Sequence, residues 1–224
     1  MENDRQQGRV SDDPSRMLDD LVFGRRSIRK YKKDPLPEPW LVQMLQCAHQ
    51  APSPSNSQPV RFVHIKSRHH IETLKRSLVE GHERLIAKNA SRKSPARLRN
   101  RINAYYRYAQ FMFSAPVLLA VGVTTETEGF SSRLMAAGLI KENLRHHADV
   151  DMTVGLALQG LMLKARSLGV GSCILTAPLV FMEDVAPLLA LEKIIIKCFV
   201  TLGIAAETPT APERLPLQAV FQEI

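Results

Sequence analysis

Apolar residues return at helical spacing soon after the chain begins. In "SRMLDDLVFGRRS", Met17, Leu18, Leu21 and Val22 form one stripe and Gly24 is a stop signal, so a helix is expected from Ser15. Residues 1–14 are polar and are expected to be disordered. Pro35, Pro37 and Pro39 stiffen a connector, after which "EPWLVQMLQCAHQA" places Leu41, Met44, Leu45 and Ala48 on one side of a second helix. "VRFVHIK" at 60–66 alternates and predicts a strand. "IETLKRSLVEGHERLIAK" predicts an amphipathic helix, with Gly81 a candidate break. "PVLLAVGV" at 116–123 reads as a buried strand, and residues 131–148 suit a helix. Residues 151–168, with Asp151 and Thr153 at the start, form a helix apolar on nearly every side, the pattern of a buried helix or a subunit contact. "VGSCIL" (170–175) and "IIIKCFVTLGI" (194–204) predict strands, and "ERLPLQAVFQEI" a last extended run. No repeat or linker divides the chain, so residues 15–224 are expected to form one α+β domain.

Composition narrows the picture. An apolar fraction of 45% over 224 residues suits a packed globular protein. The net charge of +8 favours an anionic partner, whether nucleic acid or a small molecule. Against nucleic acid, there is no zinc spacing, RNA-binding aromatic signature or heptad. Cys47, Cys173 and Cys198 are odd in number and widely spaced, as expected of reduced thiols rather than a disulfide framework. The N-terminus has no apolar core and "APVLLAVGV" is too short for a bilayer, so a cytoplasmic location without a membrane is expected.

Three stretches carry candidate chemistry. "GRRSIRKY" (24–31) gathers Arg25, Arg26 and Arg29 around Ser27, donors suited to a phosphate, although basic residues also favour a helix C-terminus. "APSPSNSQPV" (51–60) stiffens Asn56 and Gln58 with Pro52, Pro54 and Pro59. Amides pair a donor with an acceptor, as recognition of a heteroaromatic edge requires, and the same residues also make an ordinary turn. Residues 84–107 carry eight Arg and Lys and no acid. They are open to three readings: a solvated helix, a nucleic-acid surface, or a flap bearing Tyr105, Tyr106 and Tyr108. The seven His show no zinc spacing, "GVGS" is no dinucleotide fingerprint, and Cys173 has no local base.

The order of these stretches resembles the flavin-dependent nitroreductase family. A helix ending in Arg-Arg-Ser is followed by a helix running into Ala-Pro-Ser-x-x-Asn-x-Gln-Pro and a strand. "GLALQGLMLKARSLGVGSCIL" (155–175) and "LGIAAETPTAPERLPLQAV" (202–220) are similar to two later family blocks. The resemblance implies an α+β fold with a mixed central sheet flanked by helices, assembled as an intertwined homodimer. It implies FMN as cofactor and NADH or NADPH as reductant, with ping-pong transfer to nitroaromatics, quinones or similar acceptors. Arg25, Arg26, Ser27 and Arg29 match the phosphate- and ribityl-contacting run, and Arg214 a C-terminal phosphate ligand. Pro52, Ser53, Pro54, Ser55 and Asn56 match the loop beside the flavin ring, and Gln58 joins them as a ring-edge candidate. Ile174, Leu175, Thr176 and Ala177 match the strand end near flavin N5, where several members have Glu-Gly. Pro212 stands where a Lys is common. No side chain is assigned as catalytic. Flavin destruction, dehalogenation and azoline oxidation are the alternatives within the family, and a basic nucleic-acid-binding module is the alternative outside it.

Overall fold

The computed structural model describes residues 13–91, 96–126, 130–141 and 145–224. Most of the expectation for 1–14 therefore lies outside the described residues. Helix α1 (Pro14–Gly24) starts where the Asp13 carboxylate accepts the Ser15 N–H at 3.0 Å, with Pro14 in its first turn. Helix α2 (Glu38–His49) follows the proline connector.

Strands β1 (Val60–His64), β2 (Val117–Thr124), β3 (Val170–Leu175) and β4 (Ile194–Ile204) form one sheet in the order β1-β2-β4-β3. Every ladder among them is antiparallel, and one parallel bridge adds Ser27 to Ser172 on β3. The central strands β2 and β4 are largely apolar because helices cover both sides of the sheet. Successive β2 residues alternate between two cores. Leu119, Val121 and Val123 pack with Met44 of α2 and with Val154, Leu158 and Leu161 of α6 (Arg145–Ser167). Leu118 and Ala120 pack with Leu74 and Leu78 of α3 (Arg68–Ser91) and Ala109 of α4 (Ala96–Gln110). Opposite the step from Val121 to Gly122, β4 carries one extra residue, Lys197, whose ammonium pairs with Asp151 of α6 at 2.8 Å.

Four expectations need correction. Gly81 does not break α3, which runs through it; a Cβ there would lie 1.9 Å from the Phe181 carbonyl oxygen. The helix expected over 131–148 is instead α5 (Phe130–Ala136), closed by Gly138 at φ +69°. Helix α6 starts at Arg145 rather than 151, so Asp151 and Thr153 lie inside it. The tail forms a 3₁₀ turn at Leu217–Ala219 and pairs with no strand among the described residues. Pattern reading also missed α7 (Val185–Leu188), a single turn capped by Asp184. No helix among the described residues is long and apolar enough to cross a membrane.

Gly81 ties α3 to the turn after β3, and only a bare Cα fits there. Gly81→Ala should lower stability by about 1–3 kcal/mol, the usual cost of overpacking, despite alanine's better helix propensity. A urea midpoint equal to or above the parent's would refute that tight contact.

Candidate functional site

After α1 the chain turns extended at Arg25, with φ −64° and ψ 134°. The run that follows is laid along the sheet's end. Ile28 N–H donates to Ser172 O at 3.0 Å, Lys32 N–H to Ile204 O at 2.8 Å, and Ala206 N–H to Lys30 O at 2.9 Å. The Glu207 carboxylate accepts the N–H groups of Arg29 and Lys30, the second at 3.1 Å. The Tyr31 hydroxyl donates to Ile28 O at 2.6 Å and lies 2.8 Å from Thr201 Oγ1. Burial therefore raises the Tyr31 pKa far above the usual phenol value, with the Thr201 hydrogen bond opposing.

Arg29, Ser27 and Arg25 lie near enough to the buried Cys173 thiol to act on it. Burial raises that thiol's pKa; Arg29, a Ser27 hydrogen bond and Arg25 pull it down, and Glu207 pushes it up. Arg29 also sits 5.9 Å over the Tyr108 ring of α4. Arg26 is different: its Nη1 donates to Phe23 O at 2.6 Å and Arg25 O at 2.7 Å, closing the C-terminus of α1. A cavity of about 270 Å³ opens beside it, lined by Arg25, Arg26, Ile28, Arg166, Ser172 and Glu207 among others. The Arg166 guanidinium lies against Gly24, where a Cβ would meet its Nη2 at 2.9 Å. The Arg26 guanidinium is engaged by the end of α1, whereas Arg25 and Arg166 bring positive charge to the cavity wall.

The proline-rich loop lies elsewhere. Pro54–Asn56 form a 3₁₀ turn, and Ser53 closes it by accepting Asn56 N–H on its carbonyl and Gln58 N–H on its hydroxyl. Ser55, Asn56 and Gln58 hold φ of 52°, 52° and 45°, left-handed values that cost non-glycine residues energy. Pro52, Ser55, Asn56 and Gln58 are exposed. Gln58 also borders a small cavity with His49, Val60 and Thr153. The loop leads into β1, whereas the cationic corner bridges onto β3, the opposite edge of the sheet. Three strand spacings, about 14 Å, separate those edges.

Ile174 and Leu175 end β3, Thr176 turns helical at φ −101° and ψ −19°, and Ala177 opens a 3₁₀ turn to Val180. An aromatic knot fastens that turn to α3 and α4. His82 stacks on Tyr106 at 4.0 Å and shares a 2.8 Å hydrogen bond with Asn103, while Tyr106 meets Phe181 edge-on at 5.9 Å. Arg84 Nη2 donates to Phe181 O at 3.2 Å and pairs with Glu183. Arg214 lies in the exposed tail, and among the described residues none of the ion pairs includes it. Among the described residues no His, Cys, Asp and Glu cluster could hold a metal. The sequence reading missed Glu207 and Arg166; the Glu three residues past the closing strand was the one available signal for the first.

Comparison with known proteins gives these features a family. The sequence model of the nitroreductase family matches residues 22–204. Bacillus subtilis YfhC, whose name marks it as a provisional NAD(P)H nitroreductase, is 24% identical over 93% of this chain and 94% of its own length. A 48-residue segment is 48% identical to 5,6-dimethylbenzimidazole synthase of Rhodospirillum rubrum, covering 21% of this chain and 23% of that one. A BluB-like flavoprotein of Clostridium difficile superposes with a TM-score of 0.80 at 24% identity, covering 92% and 98% of the two chains.

Tyr31 fastens the cationic run to β4, so Tyr31→Phe should cost about 0.5–1.5 kcal/mol. The folded protein keeps this proton above the ordinary phenol value of 10.0, so the unfolded chain loses it first. Stability should therefore fall as pH rises above about 10, and Tyr31→Phe should remove part of that fall. Urea midpoints of both proteins between pH 8 and 11 (about the phenol range) check this; parallel curves would count against it.

Proposed function

The chain belongs to the nitroreductase family, and from that premise we propose that it is an FMN-dependent NAD(P)H oxidoreductase. The observation that carries the reading is a cationic run, Arg25 to Arg29 around Ser27, clamped to β3 and β4 beside a cavity that Arg25 lines. Two guanidinia and a hydroxyl are the donor set for a phosphate and a polyol chain. Arg214, on the exposed tail, would join them when that tail folds over the site. The strained loop at Ser55 and Asn56 holds exposed amide and hydroxyl groups ready for a heteroaromatic edge, and Pro52 and Pro54 lower the cost of keeping them there. At the end of β3, backbone from Ile174 to Ala177 would pass over the ring, held by the knot of His82, Tyr106 and Phe181. When bound, the flavin supplies the hydride chemistry; the protein supplies orientation, exclusion of water and electrostatics. NADH or NADPH would donate first and leave, and a nitroaromatic, quinone or similar acceptor would follow in the same slot.

A homodimer completes this reading. The loop and the corner lie at opposite edges of one sheet, so a two-fold partner brings the loop of one chain to the corner of the other. Apolar surface supports it: α1 buries none of its residues, with Phe23 71% exposed, and Met152 and Leu156 of α6 and Leu215, Leu217 and Phe221 of the tail are also exposed.

A second reading, destruction of the flavin itself, is favoured by one finding. A 48-residue segment is 48% identical to 5,6-dimethylbenzimidazole synthase, and the BluB-like flavoprotein superposes with a TM-score of 0.80. Dimethylbenzimidazole shares its dimethylated benzene ring with the flavin, so FMN would then be substrate. Aerobic incubation with reduced FMN separates the two: intact FMN supports the oxidoreductase, and dimethylbenzimidazole supports destruction.

Purified protein should bind about one FMN per chain, released intact on denaturation under anaerobic conditions. Charge-assisted hydrogen bonds contribute roughly 1.5–3 kcal/mol, so Arg25→Ala or Arg214→Ala should weaken FMN about tenfold to a hundredfold. Riboflavin, which has no phosphate, should bind parent and variants alike. A protein that takes up no FMN at micromolar concentration sinks the cofactor reading, and equal losses for riboflavin sink the phosphate roles.

Light scattering at low micromolar concentration should give a mass near 50 kDa, twice the 25.1 kDa chain. A folded, flavin-bearing monomer would refute the shared site.

A further inference from the structure

The acid-free stretch divides into parts with different fates. Arg84 is spent on Glu183 and the Phe181 carbonyl, Arg92 and Lys93 lie outside the described residues, and Tyr106 is locked in the aromatic knot. Arg97, Arg99, Arg101 and Arg107 lie on α4. At 100° per residue, Arg97, Arg101, Tyr105 and Tyr108 fall within an arc of about 80°, Ile102, Tyr106 and Ala109 fall on the adjoining arc that packs beside α3 and the Phe181 turn, and Arg99 and Arg107 fall farther round. Arg97, Arg101, Tyr105 and Tyr108 are exposed, and among the described residues none of the ion pairs reaches α4. From Arg97 to Tyr108 the stripe runs about 16 Å. It ends at Arg29, whose guanidinium lies over the Tyr108 ring. Two cations, two phenol rings and the cationic corner thus stand in line.

We propose that this stripe of α4 holds the adenosine half of the nicotinamide dinucleotide, with Tyr105 and Tyr108 against adenine and Arg97 and Arg101 on the 2′-phosphate, so that the pyrophosphate lies past Tyr108 toward the flavin. The proposal rests on the oxidoreductase reading, which requires a reductant reaching the flavin beside Arg29. Charge and shape select the occupant. A nicotinamide dinucleotide is an elongated polyanion with a flat base, and its reactive ring would lie beyond the Arg29 end, past the pyrophosphate. Arginine pairs with phosphate through a planar fork, and a half-exposed phenol offers a face for stacking. The 2′-phosphate of NADPH adds charge, so the stripe should prefer NADPH to NADH.

Arg99 and Arg107 make the control, because both are exposed on the same helix yet fall off the stripe. Arg97→Glu/Arg101→Glu and Arg99→Glu/Arg107→Glu change net charge equally, so a long-range field would treat them alike. In holoprotein at low salt, the on-stripe pair should weaken NADP⁺ at least about tenfold by calorimetry and raise the NADPH KM similarly. NADH should lose less, and kcat and FMN content should hold. The off-stripe pair should change NADP⁺ binding less than about threefold, and added salt should erode the parent's affinity as the Debye length shortens to about 8 Å at 0.15 M. Equal losses in both pairs, or none in either, overturn the proposal. So does an RNA or DNA oligomer that binds more tightly than NADP⁺ and is lost with the on-stripe pair, which would make the stripe a nucleic-acid surface. A parent chain without FMN would fail the oxidoreductase reading, while NADP⁺ titration of the same four-residue set would still decide the stripe.

Discussion

An extended segment presents side chains reliably only if its roll about its own axis is fixed, because alternate residues point to opposite sides. Residues 25–32 get that fixity from the ends of β3 and β4. The hydrogen bonds at Ile28, Lys30 and Lys32 hold the backbone, and the Ile28 side chain packs into Gly171, where a Cβ would lie 2.9 Å from it. With the roll set, Arg29, Ser27 and Arg25 act on Cys173, and the Arg26 guanidinium turns back to the end of α1. A one-residue slip would exchange those roles and bury a guanidinium.

Glu207 shows how a carboxylate can sit in a cationic corner without neutralising it. Its oxygen accepts two backbone N–H groups, from Arg29 and Lys30, and among the described residues it forms no ion pair with a guanidinium. The acid is engaged by backbone, so the arginine charges stay available to a ligand. The Cys173 thiol below registers the balance, raised by burial and by Glu207 and lowered by Arg29 and Arg25. The same bonds root the tail that carries Arg214, since Ala206 and Glu207 are both fastened to the run.

Strands and helices were legible wherever one local period dominated. The buried β2 and the stripes of α1 and α2 announced themselves, and the ordered motifs pointed to the family and to the candidate site together. What escaped the sequence depended on distant partners. Gly81 looks like a helix breaker until the Phe181 carbonyl is seen against it, a contact across 100 positions of chain. Gly138 was read as helix interior because nothing local reveals its left-handed backbone. Tyr106 looked equivalent to Tyr105 and Tyr108 until helical geometry turned it onto His82 and Phe181. The corner and the loop, adjacent in any motif list, lie at opposite edges of the sheet because strand order is not sequence order.

That separation has a physical logic of its own. A sheet edge exposes unpaired backbone groups and invites association, so folds cover or blunt it. On the β3 edge, the cationic run does the covering through the Ser27–Ser172 bridge and Ile28. On the β1 edge, the strand has only five residues, and Arg61 turns back to donate to the carbonyls of Gln58 and Val60 at 2.9 and 3.0 Å. The loop before it, bent into left-handed backbone at Ser55, Asn56 and Gln58, cannot extend the strand. The residues that would grip the phosphate and those that would frame the ring are therefore also the residues that close the two edges. In the proposed dimer, a cofactor shared between chains would need no dedicated scaffold: each protomer would offer a finished edge of each kind, and a two-fold axis would set one against the other.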